Sequence, residues 1–152
     1  MLTITQGYKP EYVDRIHELE TACFSRVYRW SKSDLMASLE APASNVWVGV
    51  YDNKIVGYVL VEIKKPSTGH VVSLCVDPAY RQQGIGKLLM DEAEASLQKV
   101  GVRKMRLEVQ VDNPAQVLYF KLGYRVTGVK NNYYSNGTTG VSMVKPLKRR
   151  SF

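Results

Sequence analysis

Arg81, Gly84 and Gly86 spell Arg-x-x-Gly-x-Gly between a β-branched apolar run, Val71 to Val76, and an amphipathic stretch that opens at Ile85. Asp77-Pro78 stops the run, and the glycines make the turn. The first backbone N–H groups of a helix have no partners inside it, and the helix dipole adds positive potential there. A strand, a tight turn and a helix in this order therefore receive a phosphate or pyrophosphate with little help from side chains. Arg81 and Lys87 flank the turn with positive charge, so a phosphorylated cofactor is expected. Its spacing excludes two familiar loops. A dinucleotide fingerprint needs a third glycine where Leu89 stands, and a P-loop needs a hydroxyl after its lysine, where Leu88 follows Lys87. An ordinary strand-to-helix turn, with glycines used for positive φ, is the competing reading of these residues alone.

The elements that would hold this loop follow from periodicity. Leu2 to Thr5 alternates as a strand. Pro10 to Phe24 carries Val13, Ile16, Leu19, Glu20 and Cys23 at helical spacing, with Pro10 near the first turn. Ser31 and Ser33 introduce a second helix through Leu35, Met36 and Leu39, ending before Pro42. Val46 to Tyr51 and Ile55 to Ile63 read as strands joined by a turn at Asp52-Asn53. After the strand Val71 to Val76, residues Ile85, Leu88, Leu89, Ala93, Leu97 and Val100 form one apolar helical stripe stopped by Gly101. Met105 to Val111 alternates as a strand. Pro114 to Leu122 is a helix with Asn113 as its N-cap candidate and Gly123 after it. Tyr124 to Val129 and Gly140 to Val144 are the last strands. The expected architecture is α/β: one mixed, mostly antiparallel sheet with helices on both faces, in the order β-α-α-β-β-β-α-β-α-β-β.

This element order and the Arg81 to Gly86 turn resemble the GNAT acetyltransferase family, whose corresponding turn wraps the pyrophosphate of acyl-CoA. Four features follow the turn in order: Leu107-Glu108-Val109, Asn113, Leu118-Tyr119 with Gly123-Tyr124, and Asn132-Tyr133-Tyr134. They resemble the ribosomal-protein and archaeal branch that acetylates protein α-amines. The resemblance implies acetyl-CoA as cofactor, Glu108 as general base and Tyr119 as general acid. It also implies that the backbone of Leu74, Cys75 and Val76 pairs with the acetyl-pantetheine arm, one N–H polarising the thioester carbonyl. Arg81, Gln82, Gln83, Gly84, Ile85, Gly86 and Lys87 would hold the pyrophosphate. Asn113 and Tyr119 would contact the cofactor, and Tyr133 and Tyr134 would wall a peptide groove. Such chemistry needs a base to take a proton from the amine and an acid to give one to the departing thiolate. Read alone, Glu108 is better taken as a surface carboxylate paired with Arg106, and Tyr119 as a core tyrosine.

The chain departs from these relatives in three places. Asn113 and Tyr119 stand one position closer than usual, so Asp112 competes with Asn113 for the cofactor contact. The loop after the first helix reads Phe24-Ser25-Arg26-Val27-Tyr28-Arg29-Trp30, with two arginines and no acid. Phe24, Arg26, Tyr28 and Arg29 are candidate substrate-binding residues, and the arginines imply a preference for acidic residues after the acceptor amine. Cys75 invites a nucleophile reading, but no histidine is motif-linked to it, and a small buried strand residue fits better.

Composition bounds the rest. The 152 residues, 45% hydrophobic and 23% charged, suit one globular domain over 1–152 with a basic tail from about 146. No apolar run approaches the roughly 20 residues that span a bilayer, and the start lacks a signal-peptide pattern, so the cytosol is expected and no membrane partner. Cys23 and Cys75 are too few and too scattered for a disulfide framework or a zinc site, and no metal is implied. A net charge of +7 favours anionic partners. No helix-turn-helix, zinc or RNA-binding signature accompanies it, so nucleic acid is not the expected main partner. Protein or peptide N-termini are, with ribosome or auxiliary-subunit association open. A lysine side chain or a small amine as acceptor, and a non-catalytic acyl-CoA-binding module, are the alternatives.

Overall fold

The computed structural model describes residues 1–24, 30–134 and 137–147. Arg26, Tyr28 and Arg29, and all of the basic tail beyond Leu147, lie outside the described residues. Seven strands form one sheet: β1 (Leu2–Gln6), β2 (Ser44–Tyr51), β3 (Lys54–Lys64), β4 (Thr68–Val76), β5 (Lys104–Gln110), β6 (Arg125–Lys130) and β7 (Gly140–Pro146). Four helices accompany them: α1 (Val13–Cys23), α2 (Lys32–Glu40), α3 (Ile85–Lys99) and α4 (Ala115–Lys121). The spatial order is β1-β2-β3-β4-β5-β7-β6, antiparallel throughout except between β4 and β5.

Local chemistry accounts for most of these elements. Asp52 and Asn53 both take positive φ, the conformation that a two-residue hairpin between right-twisted strands requires. The Ser31 hydroxyl accepts the Asp34 N–H at 3.1 Å and starts α2. Pro10 opens a short 3-10 turn, and the α-helix itself begins at Val13. The apolar faces then sort the helices. Ile16, Leu19, Leu35 and Leu39 cover one face of the sheet against Val46, Val48, Tyr58 and Leu60. Leu89, Met90, Ala93 and Leu97 cover the other, against Val56, Val59, Met105 and Leu107. Each such side chain taken from water contributes about 1.5–3 kcal/mol. The stripe on α3 differs from its sequence reading at two places. Leu88 is 43% and Val100 72% exposed, whereas Met90 and Glu94 are buried. Glu94 is buried because Tyr124 donates to it at 2.9 Å and Lys145 pairs with it at 2.5 Å. That pair also anchors Lys145 within β7, ahead of the tail.

The cysteines correct the sequence reading. Cys23 at the end of α1 and Cys75 on β4 are joined as a disulfide across 52 residues of chain. Their spacing concealed a contact that only tertiary packing makes. Closing a loop of that size removes unfolded-state entropy worth about 4 kcal/mol on the chain-entropy relation. Cys23→Ala is therefore expected to lower the urea midpoint by a stability loss approaching that figure. An unchanged midpoint would show that the bond adds nothing.

Candidate active site

The site lies where β4 and β5 part. They pair only at Thr68, Gly69 and His70, opposite Lys104, Met105 and Arg106. Immediately beyond, Leu60 pairs with Ser73 and Val61 with Val71, which leaves Val72 as a bulge in β4. A bulge bends its strand and sharpens the twist, so β4 turns away from β5 from that point. The edge of Val71–Val76 that faces away from β3 consequently has no strand beside it among the described residues. Its alternate N–H and C=O groups face a cavity of about 960 Å³.

One end of the cavity is the glycine turn. Gly84 has φ +79° and is the residue from which α3 starts. No side chain caps this helix, and its first internal bond runs from the Leu88 N–H to the Gly84 carbonyl at 3.0 Å. The N–H groups of Ile85, Gly86 and Lys87 are thus left for a ligand. Arg81, Gln82, Gly84, Ile85, Gly86 and Lys87 line the cavity, but Gln83 does not, standing exposed on the outside of the turn. The Lys87 ammonium is turned along the helix to Asp91, 2.7 Å away. Leu74, Cys75 and Val76 form the adjoining wall. Asn113 lines it too, while the exposed Asp112 is not part of the lining. The Asn113 carbonyl oxygen accepts the Ala115 N–H at 2.8 Å, and its amide donates to Gln110 at 2.8 Å.

At the other end the cavity collects Glu108, Tyr119, Phe24, Tyr133 and Tyr134. Alternation along β5 buries Met105, Leu107 and Val109 under α3 and turns Glu108 to the opposite face. Its side chain is only 5% exposed, and basic side chains surround it. His70 Nε2 lies 2.6 Å from Oε2, Lys130 Nζ 3.2 Å from Oε1, and Arg106 3.8 Å from Oε1. The surface pair with Arg106 alone is thereby replaced by a buried cluster centred on Glu108. The hydrogen bond from His70 outweighs burial, and with help from Lys130 it holds the carboxyl down at about 2. A folded value below the unfolded one makes the unfolded chain bind more protons, so stability falls as pH drops. The contribution is present above about pH 4.5 and is lost toward pH 2. Urea unfolding across that window should show a shallower acid loss in Glu108→Gln than in the parent. Equal slopes would contradict the pairing.

Residues 13–124 match the acetyltransferase (GNAT) family. The chain belongs to that family. It is 31% identical over 122 residues to the ribosomal protein bS18-alanine N-acetyltransferase of Haemophilus ducreyi, covering 80% of this chain and 81% of that one. To an N-alpha-acetyltransferase of Saccharolobus solfataricus it is 34% identical over 114 residues, covering 66% and 68%. Its fold is shared with the crystal structure of the ribosomal-protein-S18-alanine N-acetyltransferase from Escherichia coli, at TM-score 0.87 and 22% identity over 99% of this chain and 97% of that one.

GNAT acetyltransferases use acetyl-CoA, and the cavity of this one fits it in two independent ways. Three uncapped helix N–H groups suit a pyrophosphate, and an unpaired strand edge suits the amides of a pantetheine arm. Tyr119 of α4 lines the same cavity as these features and Glu108. It is buried, its ring packs edge-on against Tyr124 at 5.9 Å, and its hydroxyl finds no hydrogen-bond partner among the described residues. Burial alone pushes its phenol up to about 12.

Three residues at this end were not legible as site residues. His70 and Lys130 reach Glu108 from 38 and 22 positions away in sequence, on other strands. Glu20 was read as part of an apolar stripe. It is buried, lines the cavity and accepts the Trp30 N–H at 2.7 Å, so an acid does stand beside Trp30. A charged residue at an inward position of an amphipathic helix was the available signal for it.

Proposed function

We propose that this GNAT protein, acting as one domain over 1–152, acetylates the N-terminal α-amines of proteins in the cytosol. The observation that carries the reading is the single cleft between β4 and β5. It brings together the uncapped helix turn, the open strand edge, the Glu108 carboxylate, the Tyr119 phenol and the Tyr133-Tyr134 wall. The relatives include a ribosomal protein bS18-alanine N-acetyltransferase and an N-alpha-acetyltransferase, and the similarity to them spans most of the chain.

Acetyl-CoA supplies the acetyl group as an activated thioester. The N–H groups of Ile85, Gly86 and Lys87 hold its pyrophosphate, with Arg81 and Gln82 beside them, and the edge of Leu74 to Val76 holds its arm. An N–H on that edge stabilises charge that develops on the carbonyl oxygen. Asn113 borders the arm. Glu108 takes the proton of the attacking amine, directly or through water, and Tyr119 gives one to the departing sulfur. Phe24, Tyr133 and Tyr134 shape the channel by which a peptide end arrives. No covalent link to the protein is needed. Docking on the ribosome or on an auxiliary subunit would supply nascent N-termini.

The test is CoA release from acetyl-CoA over peptides with free α-amines, beside an N-blocked lysine peptide and simple amines. Turnover confined to free α-amines is expected. Turnover on the blocked peptide or a small amine instead would transfer the activity to that acceptor, and acetyl-CoA binding with no turnover on anything would make the protein an acyl-CoA-binding module.

A further inference from the structure

We propose that Lys130 is a specificity-determining residue: its ammonium covers Glu108 in the free protein and pairs with a carboxylate just beyond the acceptor amine when a peptide is bound. The inference rests on the N-terminal acetylation reading above and adds the substrate class to it. Three basic side chains face Glu108, and they are not equivalent. His70 lies on β4 with 18% of its side chain exposed, inside the sheet where β4 meets β5. Arg106 is two residues away on the same strand and stands at 3.8 Å. Lys130 alone among these comes from the last residue of β6, where the chain leaves for the Tyr133-Tyr134 wall, and 44% of its side chain is exposed.

Lys130 is held in this place by two contacts, and both belong to the proposed acceptor end. Its ammonium is 3.2 Å from Glu108 and lies 5.1 Å from the centre of the Tyr133 ring. Tyr133 is in turn seated flat against Gly140. A Cβ added there would lie 3.1 Å from the ring, so the tyrosine would have to give by a few tenths of an ångström. The lysine, the tyrosine wall and the carboxylate therefore form one packed unit at the mouth of the cleft.

That arrangement has a consequence for any cationic acceptor. An incoming α-ammonium drawn to Glu108 meets the Lys130 ammonium at the same oxygen, and like charges in a partly desolvated site repel strongly. Lys130 has a flexible four-carbon stem and a compact charge, so it can turn away from Glu108 without disturbing β6. Its charge then needs a new partner. A peptide carrying a carboxylate one or two residues past the amine provides one at the rim, whereas a lysine or arginine there adds another cation to the same patch. Acidic early residues are thus selected by the group that the amine displaces.

The experiment compares kcat/KM for free-α-amine peptides that share a first residue and carry Glu, Gln or Lys at the second and third positions. Parent, Lys130→Gln and Lys130→Glu proteins are used, each checked for the rise in melting temperature that acetyl-CoA produces. The parent should favour Glu over Lys peptides by about tenfold or more, as rim charge complementarity does elsewhere. Lys130→Gln should compress that ratio toward one, and Lys130→Glu should reverse the order. A parent with no charge preference, or an acidic preference that survives intact in Lys130→Glu, overturns the role of Lys130 while leaving N-terminal acetylation standing. Absence of turnover on every free-α-amine peptide overturns both together.

Discussion

Glu108→Gln is expected to lower kcat/KM by about 10²–10⁴-fold, the range that positioned general bases supply. The substitution keeps the size of the side chain and one accepting oxygen, and removes the charge. On the proposed reading, two functions go with that charge. An ammonium arriving at the cleft loses the anion that attracts it, which raises KM. The attacking nitrogen also loses its proton acceptor, which lowers kcat. The basic side chains around Glu108 set the terms of this role. With the carboxyl held at about 2, it remains ionised at every working pH and cannot be the source of an acid limb near neutrality. A carboxylate so stabilised is a weak base toward a resting ammonium. It becomes adequate as the nitrogen bonds to the carbonyl carbon, because that bond makes the remaining N–H protons far more acidic. His70 contributes most to the lowering. Its replacement by glutamine should therefore leave a more basic Glu108 and a changed pH profile, with the fold intact. Glu108→Gln that retains a third or more of the parental kcat/KM would remove the base assignment, whatever His70 does.

The parts of this molecule that were legible in the sequence are the local ones. The Asp52-Asn53 turn, the Ser31 cap and the Arg81 to Gly86 turn are set by residues within a few positions of each other, and each stands where its chemistry places it. The strand-helix alternation gave the element order for the same reason. What was hidden depends on tertiary placement. The cleft exists because β4 carries a bulge at Val72 and leaves β5 after three paired residues, and nothing in Val71 to Val76 announces an extra residue. The Cys23–Cys75 bond, the His70–Glu108 contact and the Lys130–Glu108 contact all join different strands or helices. On α3, helical periodicity marked a face about one residue too wide, because it treated Leu88 and Val100 as core. It could not foresee that Tyr124 and Lys145 would make Glu94 tolerable inside.

Tyr119→Phe is expected to reduce kcat by about 10²–10³-fold with little change in KM for the acceptor, since proton donation to a leaving group acts only in the transition state. The substitution deletes one oxygen from a buried ring that packs against Tyr124, so the fold should tolerate it. The position of the phenol explains both its value and its cost. Burial raises it to about 12, which keeps it protonated at every pH at which the protein would be assayed. The same burial makes it a weaker acid than a phenol in water. As the proposed acid it would donate only to a sulfur that carries real negative charge, as the carbon–sulfur bond breaks. An acid of this kind protonates the product thiolate without protonating the incoming amine, and the amine must stay neutral to attack. The alkaline side of the kcat profile tests this separately from the rate. No loss assignable to Tyr119 should occur below about pH 12 in the parent. A mid-range alkaline limb that disappears in Tyr119→Phe would instead mean that the phenol ionises during turnover, and that its role is to accept a proton rather than to give one.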